Sequence, residues 1–86
     1  MSEHRERSYR GISQRAALGY LEGIGGEQVD ERTVEGDGWR ASVEADTVSI
    51  GASLTLTEVT VTFEGEAETL DAVVDAFSQK AIRAGG

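Results

Sequence analysis

A helical repeat of apolar residues runs through the last quarter of the chain. The apolar positions recur at intervals of three, four, seven and eleven residues, which is the spacing of one buried helix face. They are Leu70, Val73, Val74, Phe77 and Ala81. The pattern predicts a helix over residues 67–83, with acidic residues at its start and basic residues at its end, as the helix dipole favours.

A second, shorter helical repeat lies near residues 13–24. Its apolar positions are Ala17, Leu18, Leu21 and Ile24. Ser13 precedes them and can accept a hydrogen bond from the first turn as an N-cap. Gly25-Gly26 follows and predicts the end of the helix, because glycine readily adopts the left-handed conformation found there.

The stretch between Trp39 and Glu64 has the alternation of β-strands rather than the helical repeat. Residues 39–45 alternate apolar and polar side chains, which predicts a half-buried strand. Asp37-Gly38 precedes it and is typical of a two-residue hairpin turn, since such a turn needs a residue that tolerates a positive φ. After a predicted turn at Asp46, residues 48–50 form a short predicted strand.

The alternation changes phase further along this stretch. Apolar residues occupy even positions at Leu54 and Leu56 but odd positions from Val59 onward. Side chains of a regular strand alternate with a period of two, so the change predicts a bulge or turn near Thr57-Glu58. Residues 58–64 are therefore interpreted as a strand, and residues 51–57 as a loop or bulged lead-in.

Together with weaker strand signals at residues 5–12 and 27–36, these elements predict one α+β domain spanning residues 1–86. The order is β-α-β-β-β-β-α, and the expected architecture is a two-layer sandwich with two helices on one face of an antiparallel sheet. The predicted core comprises Leu18, Leu21, Trp39, Val43, Val61, Phe63, Val74 and Phe77. The other sheet face should present a polar candidate partner surface of Arg40, Ser42, Glu44, Thr60 and Thr62.

Charge narrows the classes of partner. Sixteen Asp and Glu oppose eight Lys and Arg, giving a formal charge of −8. This surplus argues against nucleic acid and anionic membranes as partners, because both would be repelled.

With only one lysine, Lys80, the composition resembles that of halophilic proteins, and the stability of the fold is expected to rise with salt, which screens carboxylate repulsion. No signal peptide or membrane span is visible, so we expect a cytoplasmic monomer or weak dimer with an unknown protein partner.

Several segments resemble a known family. They are YRGI (9–12), EGDGWRA (35–41), TVSIG (47–51) and LTEVTVTFEG (56–65). They are similar to small haloarchaeal proteins that resemble the C-terminal domain of MoaD-related proteins, MoaD being the small, ubiquitin-like subunit of molybdopterin synthase. The resemblance implies a TBP-like fold and a link to molybdopterin or sulfur-carrier pathways. It does not include the ubiquitin-like domain that carries the sulfur chemistry in the relatives, and it supplies no catalytic residues.

The chain is poor in residues that perform catalysis. It contains no cysteine, and His4 is its single imidazole, so neither a catalytic triad nor a cysteine–histidine metal site can be assembled. Acidic pairs such as Asp71 and Asp75 are expected by chance in so acidic a chain and are interpreted as solvated. We therefore expect no enzyme activity, no cofactor and no metal.

Gly85-Gly86 leaves two interpretations open. Ubiquitin-like modifiers and sulfur carriers end in a diglycine that threads into an activating enzyme, which would make Gly86 an activation site. Two glycines also commonly terminate a helix. The favoured interpretation is a non-catalytic binding or accessory domain, and the alternative is a modifier or sulfur carrier activated at Gly86.

Overall fold

The protein folds into two helices and a five-stranded antiparallel sheet, so the α+β class is confirmed. The computed structural model describes the backbone of residues 2–85 and the side chains of residues 2–82. The elements are β1 (Glu3–Arg10), α1 (Gln14–Gly23), β2 (Glu27–Gln28), β3 (Thr33–Gly36), β4 (Trp39–Ile50), β5 (Leu54–Gly65) and α2 (Ala67–Gly85). The strands lie in the order β1-β5-β4-β3-β2, which places the first strand beside the last.

Local sequence signals determine both ends of α1. The Ser13 side chain accepts a hydrogen bond from the backbone N–H of Ala16, with a nitrogen–oxygen distance of 3.0 Å, as predicted for an N-cap. After the helix, Gly25 adopts a φ of +107°, a conformation that a side chain would disfavour. The predicted helix over residues 13–24 is therefore confirmed to within one residue at each end.

The core contains all eight residues predicted from the apolar pattern. The side chains of both helices pack in one cluster with the odd-numbered residues 39–43 of β4 and 59–63 of β5. Phe77 of α2 lies at its centre and makes edge-on contacts with the rings of Tyr9, Tyr20 and Phe63, at centroid separations of 5.1, 6.2 and 5.7 Å. These contacts tie α2 to β1, α1 and β5 at once.

The largest departure from prediction concerns β4 and β5, which form one long hairpin. Residues 39–45 and 48–50 belong to a single strand, and Asp46 is paired with Glu58 instead of forming a turn. The register is constant from Trp39 opposite Gly65 to Ile50 opposite Leu54. The bulge predicted near Thr57-Glu58 is thus wrong, and so is the loop predicted over residues 51–57. The strands turn at residues 51–53, where Gly51 has a φ of +79°.

The weak strand signal at residues 27–36 resolves into two short strands, β2 and β3, around a tight turn. At this turn the backbone N–H of Arg32 donates to the Asp30 carboxylate at 2.8 Å. That bond, with a smaller contribution from the Thr33 hydroxyl, lowers the pKa of Asp30 below its ordinary value of 3.8. Any stabilisation from Asp30 is therefore present above pH 3.8 and is lost as the pH falls through the lowered pKa.

The first strand begins and ends earlier than the predicted range of 5–12. β1 spans Glu3–Arg10 and pairs with β5, and Tyr9 is half-buried against the core. Ile12 is buried but lies beyond the strand, in the connection to α1. The apolar signal at Ile12 was real, but it marked the core rather than the strand.

Candidate functional site

The face of the sheet opposite the core, called here the outer face, holds all five residues of the predicted partner surface. Strand pairing places Ser42 directly opposite Thr62 and Glu44 directly opposite Thr60. Arg40, at the same parity of β4, lies opposite Glu64. Because directly paired residues point to the same side of an antiparallel sheet, the five form one continuous surface. Arg40, Ser42 and Glu44 are exposed and the two threonines are half-buried.

β1 extends the outer face with alternate residues of its own. Ser8 lies opposite Thr60, and their hydroxyl oxygens are 3.3 Å apart. Arg10 Nε lies 3.1 Å from a carboxylate oxygen of Glu58, and His4 Nε2 lies 2.9 Å from one of Glu64. Arg10 and His4 therefore have acidic neighbours on β5, whereas Arg5 lies near Glu3 of its own strand and Asp71 of α2.

Beyond these polar rows, the outer face becomes apolar. Val48 lies opposite Leu56 and Ile50 opposite Leu54, so four aliphatic side chains form an apolar patch of two directly opposed pairs. Leu54 is 58% exposed, Ile50 and Leu56 are each 37% exposed, and Val48 is half-buried. The other face of this segment carries hydroxyls, with Thr47 opposite Thr57 and Ser49 opposite Thr55. At this end of the β4–β5 hairpin the outer face is therefore apolar and the opposite face is polar, the reverse of the arrangement over the core.

This inversion explains the change of phase that the sequence showed near residue 57. The strand stays regular, and the apolar residues move from the core face to the outer face because the core ends there. The predicted bulge attributes the phase change to backbone geometry and therefore does not account for the apolar patch. The same phase change predicts the apolar patch when it is interpreted as a sign of apolar residues outside the core.

The apolar patch lies on a protruding segment, residues 47–57, called here the hairpin tip. β1 ends where Arg10 meets Glu58, and the last contact on that side is a hydrogen bond from Gly11 N–H to the Thr57 carbonyl. β3 meets β4 only as far as Ser42. The molecule is 44 Å long and 21 Å across. Its length is close to the roughly 41 Å of a twelve-residue strand, so β4 and β5 determine the long axis.

The chemistry offered by these surfaces is hydrogen bonding and apolar contact. Among the described residues, no group of three or more His, Asp and Glu side chains is placed to hold a metal ion. Within the same part of the chain, no helix is long and apolar enough to cross a membrane. His4, the single imidazole of the chain, is part of β1.

Gly85, the first residue of the diglycine, is the last residue of α2. The helix extends through Gly85, and its last described core residue is Ala81, at 4% exposure. Gly86, the candidate activation site, lies outside the described residues. A helix thus leads directly to the diglycine, with no strand between the core and Gly85.

Comparison with known proteins supplies the family. No curated protein matches the chain. A family model described as "Archaeal MoaD-like protein" matches residues 5–86, which include all the described strands and helices except the first two residues of β1. This agrees with the resemblance found in the short segments on β1, β3, β4 and β5. The chain therefore belongs to the archaeal MoaD-like protein family.

Proposed function

We propose that the protein is a non-catalytic accessory domain of a molybdopterin-related or sulfur-carrier system, which binds a protein partner through its outer face. Membership of the archaeal MoaD-like family supports the link to that chemistry. The observation that carries the proposal is the uncovered outer face, where Arg40, Ser42 and Glu44 are exposed on one strand. We also propose that the domain works in the cytoplasm and that its element order corresponds to the TBP-like arrangement implied by the resemblance.

The composition of the outer face favours a protein partner over a small molecule. Its central rows alternate hydroxyls with charges of both signs, and many of the charges are neutralised by cross-strand neighbours, such as Arg40 by Glu35 at 3.5 Å. A flat surface of this kind suits the polar part of a protein–protein interface. A small molecule would favour a concave, largely apolar pocket.

A pair of single substitutions on β5 tests this proposal. Thr62→Arg places a large cation in the centre of the outer face, whereas Thr55→Arg makes the same change on the opposite face of the same strand. Both residues are exposed or half-buried, so the fold should tolerate either change. In pull-downs from native host extract at high salt, we expect wild type and Thr55→Arg to retain the same partner band and Thr62→Arg to lose it. Equal recovery by all three proteins would contradict the proposed surface.

The second candidate function is a modifier or sulfur carrier activated at the Gly86 carboxylate. The family match extends to residue 86 and so includes the diglycine, which favours this function. The course of α2 favours the accessory-domain function instead. Helical residues advance only about 1.5 Å each, against roughly 3.3–3.6 Å when extended, so the four residues after Ala81 provide little reach into an adenylation site while they stay helical.

One comparison separates the two functions. The intact chain and a chain lacking Gly85-Gly86 are incubated with ATP and an archaeal E1-like activating enzyme, and products are detected by mass spectrometry. We expect no adenylate, thiocarboxylate or isopeptide product from either chain. A product formed from the intact chain alone would establish the modifier function and overturn the accessory-domain proposal.

A further inference from the structure

We propose that β4 joins the β4 strand of a second copy, in antiparallel register centred on Val48, so that two sheets become one continuous ten-stranded sheet. The proposal begins from an unpaired strand edge. Val43 donates its backbone N–H to the Arg32 carbonyl at 2.8 Å, so its polar groups point away from β5. Backbone polar groups alternate sides along a strand, so those of Ala45, Thr47 and Ser49 point the same way. Among the described strands, none pairs with them there.

Apart from the charge of Asp46, this edge lacks the features that usually prevent edge-to-edge pairing. Natural sheets protect exposed edges with lysine, proline, bulges or a covering element. The chain has no proline, its single lysine is Lys80 on α2, and the register of β4 with β5 is unbroken. Residues 47–57 carry no charge at all, although the chain as a whole has a formal charge of −8. Two copies therefore repel each other least where their hairpin tips meet.

The acidic residues of β4 exclude some of the registers that two copies could adopt. In a two-fold antiparallel pair centred on residue 46, Asp46 would face Asp46 of the other copy. Centred on residue 45, Asp46 would face Glu44. Like charges directly opposite each other are destabilising. Centred on Val48, Asp46 faces Ile50 and Glu44 faces Ala52, so no acid meets an acid and the uncharged tip of each copy lies along the acidic segment of the other.

The same register matches side chains on both faces of the joined sheet. On the outer face, Val48 meets Val48, which links the two apolar patches into one strip. On the opposite face, Thr47 meets Ser49, pairing hydroxyl with hydroxyl. The turn residues of each copy, Gly51 to Ser53, lie beside a depression of about 240 Å³ lined by Gln14, Arg32 and residues 44–46 of the other copy. These small, uncharged residues fit it without placing another charge there.

The size of the contact predicts a weak dimer. Only the segment from Ala45 to Gly51 of each copy can pair. The area that so short a segment buries is small compared with the ~800 Å² per partner of a standard interface. We therefore expect a dimer that dissociates on dilution and strengthens with salt, since salt screens the repulsion between two acidic copies. This association is independent of the partner proposed for the polar rows of the outer face.

A register-specific disulfide scan tests the proposal. Because the chain contains no cysteine, no native thiol can form a competing disulfide. The variants are Val48→Cys, Ile50→Cys and, as a matched control, Val29→Cys, which replaces a 51% exposed valine in the turn before β3. In the proposed register, residue 48 forms a non-hydrogen-bonded pair with itself. Its Cα–Cα separation of about 4.5 Å then falls within the ~4.4–6.8 Å range of disulfides.

At high salt with a mild thiol oxidant, Val48→Cys should form covalent dimers about ten times faster than Val29→Cys, because only residue 48 meets its own copy. Ile50→Cys should resemble the control, since it faces Asp46. Sedimentation of the wild type from about 10 μM to about 1 mM should show mass rising with concentration. Equal cross-linking rates at residues 48 and 29, faster cross-linking at residue 50, or a monomer at every concentration would overturn the proposal.

Discussion

Replacing Phe77 with alanine should destabilise the protein by about 3 kcal/mol or more, the largest effect expected of any single truncation in this chain. The ring has no exposed surface, and it contacts the rings of Tyr9, Tyr20 and Phe63, which come from three different elements. Its loss leaves a cavity that no neighbour can fill without moving a strand or helix. In thermal unfolding followed by circular dichroism, the Tm should fall by more than about 12 °C.

Ile82→Ala provides the control on the same helix. Ile82 is also a large apolar residue of α2, but its side chain is 69% exposed. Its truncation should change the free energy of unfolding by no more than about 0.5 kcal/mol. If both variants unfolded at similar temperatures, α2 would not be held by the contacts of Phe77 and the assigned core would be wrong.

Replacing Gly36 with alanine should also destabilise the protein, by about 1–3 kcal/mol, through overpacking rather than a cavity. Gly36 lies opposite Trp39 across the Asp37-Gly38 turn, and the indole of Trp39 lies over it. A Cβ at Gly36 would overlap indole atoms Nε1, Cε2 and Cζ2. Trp39 is only 8% exposed, so it can move aside only by disturbing the core.

Gly19→Ala should stabilise the protein, the opposite of the effect expected for Gly36→Ala. Gly19 lies on the exposed side of α1, and a Cβ there would meet no atom within 4 Å. Alanine has a higher helix propensity than glycine by about 1 kcal/mol, so this variant should unfold at a higher temperature than the wild type. Chemical denaturation of the two glycine variants compares them directly. A Gly36→Ala protein as stable as the wild type would show that the indole is not confined.

The sequence predicted the helices and the core better than it predicted the sheet. A helix carries its apolar period and its capping residues locally, which is why Ser13 and Gly25 marked the limits of α1. The length of a strand depends on partners that the chain supplies elsewhere. Residues 54–57 have no core contact, so nothing in their local pattern distinguished a protruding strand from a loop.

The candidate surfaces were likewise predictable only where a local pattern within one strand defines them. Ser42, Glu44, Thr60 and Thr62 could be assigned to one face because alternation within each strand is a local property. The apolar patch left a sequence signal, the change of phase near residue 57, but assigning the patch to the outer face also required knowing that β4 and β5 pair without a shift as far as Ile50 and Leu54. The contacts of Arg10 with Glu58 and of His4 with Glu64 could not be assigned from the sequence, since no local pattern shows which strand lies beside the first one.

The position of β1 at the edge of the sheet has a consequence for folding. β3, β4 and β5 follow one another as hairpins and can pair as soon as they are synthesised, but His4 must find Glu64 across almost the whole chain. Closing such a long loop costs chain entropy before any contact compensates for it, so the return of the first strand should limit the folding rate. Until then, the nascent chain presents a free edge of β5 to its neighbours on the same polysome.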